Sequence, residues 1–385
     1  MNKKVTEDIV YIGVDDKDID LFESQYVVPN GVSYNSYVII DDKIAVMDTV
    51  DARATEQWFS NLNEALAGRK PDYLVVSHME PDHAANIQKV AEAYPDMKLV
   101  GNVKTFAMMT QFFDIELEGR KVVVSEGDKL SLGKHELTFV MAPMVHWPEV
   151  MLEYESKEKV LFSADAFGKF GTLDTDEGWA CEARRYYFNI VGKYGVQVQA
   201  VLKKAAGLDI QTICPLHGPV LTENLSYYID KYNTWSSYQP EDKGILVACA
   251  SIHGNTKKAA ELLTQKLRAA GAKAVFTDLT RDDQAEAVED AFRYDRLVLC
   301  ASTYDGGIFP PMEEFINHLK AKAYQNRRVA FVENGSWAPM AARQMKSMLE
   351  SLKNIEYIEP VVTIKSTLSP ASEKQMDELV EALTK

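Results

Sequence analysis

A chain of 385 residues is longer than one hydrophobic core usually organises, so two domains are expected. Its 46% apolar content with spaced Gly and Pro is that of a globular protein, and a formal charge of -15 disfavours nucleic acid as a partner. No apolar run is long enough to span a bilayer, and Met1-Asn2-Lys3-Lys4 leads into Val5-Thr6-Glu7-Asp8 without a signal-peptide core, so a cytoplasmic protein that engages no membrane is expected.

Residues 36–40, a turn at 41–43 and residues 44–49 read as a β-hairpin whose second strand ends near Asp48. Asp48 either steadies a histidine ligand from behind or is the acid at the start of the amphipathic helix expected over 52–67. Residues 71–76 then read as a buried strand leading directly into Ser77-His78-Met79-Glu80-Pro81-Asp82-His83. Such a strand end delivers metal-capable side chains from a loop on a rigid support. Alternation along an extended loop lets His78, Glu80 and Asp82 face one way, with a turn bringing His83 beside them, and Pro81 disfavours helix at Glu80.

Exposed loops also collect His, Asp and Glu without binding anything. Recurrence favours a site: after a helix over 84–93, a strand at 98–101, a helix over 104–113 and strands at 121–124 and 137–140, His146, Asp165 and His217 each follow a short apolar run and precede Gly, Pro or an aromatic turn. The chain has 7 histidines, and His78, His83, His146 and His217 all belong to this set. Helices are expected over 178–191, 196–206 and 227–235, giving two sheets sandwiched between helices, and the polar stretch 236–244 is the expected linker.

Beyond it the rhythm changes to strands at 245–250, 274–276, 296–301 and 329–332 alternating with helices near 257–270, 285–291, 312–322 and 338–352, the pattern of a doubly wound parallel sheet. Ligands sit at the carboxyl ends of such strands. Three loops there are rich in small polar residues: Ser251, His253, Gly254, Asn255 and Thr256; Ser302, Thr303, Tyr304, Asp305, Gly306 and Gly307; and Asn334, Gly335, Ser336 and Trp337. The first can wrap a phosphate at a helix N-terminus, and Tyr304 and Trp337 can flank a planar ring, which together favour flavin mononucleotide (FMN) over ordinary helix capping.

Cys181, Cys214, Cys249 and Cys300 are too scattered for a zinc ribbon, a rubredoxin-type iron site or a disulfide framework. His135 reads as a turn residue and His318 as a polar helix position, so neither is assigned to metal. Arg184 and Arg185 beside Tyr186 and Tyr187 read as a solvated helix face, and Trp147 as either a wall of the pocket or a core residue.

The set His78, Glu80, Asp82, His83, His146, Asp165 and His217, followed by a flavodoxin-like half with these loops, resembles the flavodiiron proteins along essentially the whole chain. Its most specific feature is Glu80, where zinc hydrolases of the metallo-β-lactamase superfamily usually have histidine; Asp48 also matches an aspartate of that superfamily. The resemblance implies an α/β protein of the minimal two-domain form: an N-terminal αββα sandwich (metallo-β-lactamase-like) over 1–243 and a flavodoxin-like doubly wound sheet over 244–385. It assigns His78, Glu80 and His146 to one iron, Asp82, His83 and His217 to the other, and Asp165 as the bridge.

Imidazoles with several carboxylates suit iron or manganese, and the thiolates that would favour zinc are missing. The implied reaction is reduction of O2 to water, of NO to N2O, or both, at two non-haem irons. FMN would relay electrons from rubredoxin, a reductase acting through it, or a reduced deazaflavin. A head-to-tail homodimer or dimer of dimers is also implied. A dinuclear zinc hydrolase fused to a flavodoxin domain, and an electron-transfer module without gas chemistry, remain alternatives.

Overall fold

A computed structural model describes residues 3–176 and 178–385. The chain divides into two compact units, residues 1–187 with 196–233 and residues 188–195 with 234–385.

The first unit holds two facing sheets. One runs Lys3–Lys4, Ile9–Tyr11, Tyr37–Ile39, Ala45–Met47, Tyr73–Val75, Lys98–Gly101, Lys121–Val123 in spatial order. The other runs Lys129–Ser131, Glu136–Met141, Met151–Glu155, Val160–Phe162, Thr212–Cys214. The expected hairpin forms with Val38 opposite Val46, and the register continues in parallel as Met47 pairs with Val75 and Val75 with Val100. Ile39, Met47, Val75 and Val100 from the first sheet pack into one cluster with Leu137, Phe139, Met151 and Phe162 from the second. Removing apolar surface from water is what holds the sheets face to face. The helix Thr55–Leu66 covers this sandwich with Trp58, Leu62 and Leu66, spaced to lie on one helical face. The result is the αββα architecture.

The second unit is a parallel sheet in the order Ala274–Asp278, Asp242–Ala250, Tyr294–Tyr304, Arg327–Asn334, with Ile355–Tyr357 and Val362–Ile364 both pairing to the last. Helices on both faces bury the strands from either side, which is why the strand Asp242–Ala250 reads from Gly244 on as an unbroken apolar run rather than an alternating one. Ile245, Val247, Val298 and Val332 pack there with Leu263, Leu267 and Leu379.

Three expectations are corrected. The polar stretch 236–244 is not a solvated linker: a strand starts at Asp242, Ser236 and Tyr238 are buried, and the Tyr238 hydroxyl donates to the Gly192 carbonyl at 2.8 Å. A tyrosine that buries its ring needs such a partner for its hydroxyl. The α-helix expected over 178–191 is α-helical only over Trp179–Tyr186 and continues as a π turn over Tyr187–Val191. Arg184, Arg185, Tyr186 and Tyr187 are all buried rather than solvated. The Arg185 guanidinium lies 5.1 Å over the Phe170 ring and pairs with Glu182 at 3.1 Å, so its charge is compensated inside the fold.

Candidate metal centre and cofactor cleft

The strand Tyr73–Val75 ends at Ser77 and His78 in the heart of the first unit. Asp48 holds that end in place: its carboxylate accepts from the Ser77 backbone N–H at 2.8 Å and the Ser77 hydroxyl at 2.6 Å, and the His78 N–H lies 3.4 Å away. Asp48 therefore fixes backbone rather than a histidine ring. The helix-end acid is Asp51, which accepts from Arg53 N.

The extended path ends at Glu80, and residues Pro81–Ala84 form a helical turn. Proline disfavours helix in the residue before it but suits the first helical position. Asp82 thus does not face the same way as His78 and Glu80, as the alternation had suggested; the turn carries Asp82 and His83 together to the neighbouring position. The supporting turns are strained, with positive φ at Asp48 (52°), Met144 (66°), Ala164 (48°) and Phe167 (68°). Non-glycine residues in this region cluster where surrounding structure over-determines them for function.

All seven expected ligands converge in two groups: His78, Glu80, His146 and Asp165, and Asp82, His83 and His217. In the first, His146 Nε2 lies 3.0 Å from Glu80 Oε2 and 3.2 Å from Asp165 Oδ2, and His78 Nε2 lies 3.2 and 3.4 Å from the same oxygens. In the second, His83 Nε2 is 3.3 Å from both Asp82 Oδ2 and Asp165 Oδ1, and His217 Nε2 is 3.3 Å from Asp82 Oδ2. Asp165 gives one oxygen to each group. Donors about 2.1 Å from a common metal stand about 3.0 Å apart at right angles and about 3.4 Å apart at the tetrahedral angle, so these separations are edges of coordination polyhedra.

The tautomers agree. His78 Nδ1 is 2.8 Å from Glu149 Oε1 and His217 Nδ1 is 2.8 Å from the Ser33 carbonyl, so each ring donates outward and turns the Nε2 lone pair into the cage. Asp165 Oδ1 and Oδ2, Asp82 Oδ1 and Oδ2, and His146 Nε2 are buried without hydrogen-bond partners. Buried lone pairs facing one another call for a cation between them. Without one, the groups shift against each other. Burial raises Asp82 to about 8, whereas Asp165, despite its burial, is held well below the usual range by the charge of His78 and by His146 and His83. Burial works against a proton on His146, but Asp165 and Glu80 outweigh it and raise it to about 9. The donor set fits two metal ions.

Sequence reasoning missed Glu149, which also accepts from Met79 N at 2.9 Å; its only signal was its position three residues after His146. It also missed Ser33 and Glu153, whose Oε2 lies 2.9 Å from the Ser77 hydroxyl. Trp147 is half-buried, with its ring edge-on to His78 at 5.3 Å, so it walls the metal site. A cavity of about 430 Å³ lined by Phe22, Glu23, Tyr34, Arg53, Glu80 and Asp82 opens onto the cage.

In the second unit a cleft of about 620 Å³ lies at the carboxyl ends of the strands. Ser251, His253, Asn255, Thr256, Ser302, Thr303, Tyr304, Asp305, Gly306, Asn334, Gly335, Ser336 and Trp337 line it, together with Ile252, Ala338, Met340 and Ser366, which the sequence did not single out. Gly254 and Gly307 lie outside the lining; Gly254 instead has φ of 87° at the entry to the helix Asn255–Ala269. That helix offers unpaired N–H groups to an anion. Tyr304 (45% exposed) and Trp337 (92% exposed) stand free at the rim, as stacking partners for a planar ring would.

Residues 32–218 match the family model for ODP family beta lactamase and residues 246–361 that for a flavodoxin domain. The chain is 28% identical over 371 residues to a nitric oxide reductase of Moorella thermoacetica, spanning 94% of this chain and 92% of that protein. It is 26% identical over 364 residues to the anaerobic nitric oxide reductase flavorubredoxin of Klebsiella pneumoniae, spanning 91% of this chain and 75% of that one. Its fold matches the rubredoxin:oxygen oxidoreductase of Desulfovibrio gigas with a TM-score of 0.92 at 23% identity, covering 100% of this chain and 98% of that one. The flavodiiron protein of Giardia intestinalis follows at 0.90 and 21%, covering 100% and 96%. The chain therefore carries a metallo-β-lactamase-like domain followed by a flavodoxin domain, and its relatives and structural neighbours include nitric oxide reductases, flavorubredoxins and flavodiiron proteins.

Proposed function

We propose that this protein is an oxidoreductase that reduces O2 to water, NO to N2O, or both, at a pair of non-haem irons, with FMN passing on electrons from an external donor. The observation that carries this reading is the splitting of Asp165, one carboxylate oxygen facing each group of nitrogen and oxygen donors. The names of the relatives support it.

His78, Glu80 and His146 would hold one iron, Asp82, His83 and His217 the other, with Asp165 shared. When bound, the irons supply two one-electron centres with open positions for a diatomic molecule, and FMN supplies a further two-electron store. Glu149 and the Ser33 carbonyl orient two of the imidazoles, and Trp147 covers His78 on its flank. In the cleft, the N-terminus of Asn255–Ala269 would take the phosphate while Tyr304 and Trp337 flank the ring.

The donor proposed is a small redox protein such as rubredoxin, or a reductase acting through it, with a reduced deazaflavin as the second possibility. A cytoplasmic head-to-tail homodimer or dimer of dimers completes the reading; among the described residues no helix is long and apolar enough to cross a membrane. The test is anaerobic reduction of purified protein, followed by separate O2 and NO consumption assays with metal and flavin counted. Consumption of at least one gas by protein carrying iron and FMN is expected. Fully loaded, reduced protein that consumes neither would refute the reading.

A further inference from the structure

Outside the cage, another group of metal-capable side chains gathers at one end of the five-stranded sheet, where His135 precedes the strand Glu136–Met141 and Glu155 ends the strand Met151–Glu155. His135, Glu155 and Glu158 each offer a ligand atom within 4.8 Å of the others. His135, expected only as a turn residue, is buried. Its Nε2 lies 3.2 Å from both Asp8 Oδ2 and Lys157 Nζ, so that ring nitrogen is already engaged by the Asp8–Lys157 ion pair. Nδ1 is left as a buried nitrogen with no hydrogen bond, although Glu155 Oε1 stands 3.0 Å away, the same edge length found in the diiron cage. A carboxylate orienting one ring nitrogen while the other faces acidic oxygens is the arrangement of a metal-binding histidine, and Glu149 and His78 repeat it in the cage.

The acidic partners are also fixed. Lys157 N and Glu158 N donate to the two oxygens of Glu155 at 2.7 Å each, and the Thr6 hydroxyl donates to Glu158 Oε2. Lys157 Nζ donates to Asp8 at 2.6 Å, on the Nε2 side of the ring and away from Nδ1. Asp8, Glu155 and Glu158 against Lys157 leave two negative charges, the complement of a divalent cation.

We propose that His135 Nδ1, Glu155 and Glu158 form a second, mononuclear site for a divalent cation of the zinc or manganese class, tying the N-terminal segment of Thr6 and Asp8 to the five-stranded sheet. In the metal-free chain burial opposes a proton on His135, but Glu155 and Asp8 outweigh it and raise its pKa, so the metal displaces a proton. The site is independent of the gas chemistry.

The experiment titrates iron-loaded, FMN-containing protein with Zn2+ against a chromogenic chelator, with iron measured before and after. The expected result is one zinc per chain bound without loss of iron, a higher Tm with zinc, and affinity lower by about tenfold or more in Glu158→Gln and in His135→Gln. Glu158 is only partly buried, so Glu158→Gln keeps the test informative should His135→Gln fail to fold. Zinc uptake only in exchange for iron, or equal affinity in wild type and Glu158→Gln, would overturn the proposal. So would wild-type protein that takes up no zinc.

Discussion

His83 Nε2 and His217 Nε2 face each other at 3.1 Å, while His217 already donates from Nδ1 to the Ser33 carbonyl at 2.8 Å. A neutral His217 therefore brings only a lone pair to that contact. With Asp82 and Asp165 beside them, these two nitrogens make up a donor set for a cation.

The first prediction follows from this geometry. His217→Ala removes a donor from one group only and should lower iron content from about two per chain towards one, whereas Asp165→Asn weakens both groups and should lose both irons. Metal analysis of the two variants, purified alongside wild type, makes the comparison. Equal iron content in both variants would contradict a shared Asp165.

Glu149 touches no expected metal position, yet it fixes His78 through Nδ1 at 2.8 Å. Glu149→Gln should weaken metal affinity by about 10- to 100-fold with FMN content unchanged, measured by chelator competition. A purely structural role would move Tm and leave metal affinity where it was.

Glu153 gives a pH signature. Burial first, and then the charge of Asp48, hold its carboxyl protonated well above the ordinary glutamate value of 4.5. Once unfolded it ionises as pH rises past that value, while the folded form keeps its proton. Ionisation then favours the unfolded chain, so this residue costs progressively more stability up to its folded pKa. Glu153→Gln preserves a hydrogen bond to Ser77 without that cost. Its Tm should match wild type near pH 4 and exceed it by a few degrees at pH 8, by thermal melts across the range. A gap that shrinks with rising pH would show that Glu153 is ionised when folded.

Trp337 is 92% exposed and contributes little to the core of its unit. Trp337→Ala should leave Tm unchanged and weaken FMN binding by about 0.5–1.5 kcal/mol, roughly 2- to 13-fold in Kd, read by flavin fluorescence. Unchanged FMN affinity would remove Trp337 from the site.

Much of this was legible in the sequence because strand ends announce themselves. Apolar runs stopping at His78, His146, Asp165 and His217 gave both the scaffold and the ligands, and the second sheet's alternation gave its loops. Less was legible where meaning depends on contacts distant in sequence. Glu149 is an ordinary acid until His78, 71 residues earlier, turns its ring towards it. His135 looked like a turn residue because one of its partners, Asp8, lies 127 positions away. Arg184 and Arg185 looked solvated because charge pairs inside a fold leave no periodic trace. The misplaced direction of Asp82 had a local cause: Pro81 ends extended backbone on one side and starts a helical turn on the other.

The most direct test of the whole account is diffraction from crystals of the native protein, with anomalous data on either side of the iron edge. Two iron peaks about 3–4 Å apart, each beside a different oxygen of Asp165, are the expected result. A single zinc peak, or the seven side chains turned away from any metal, would contradict it.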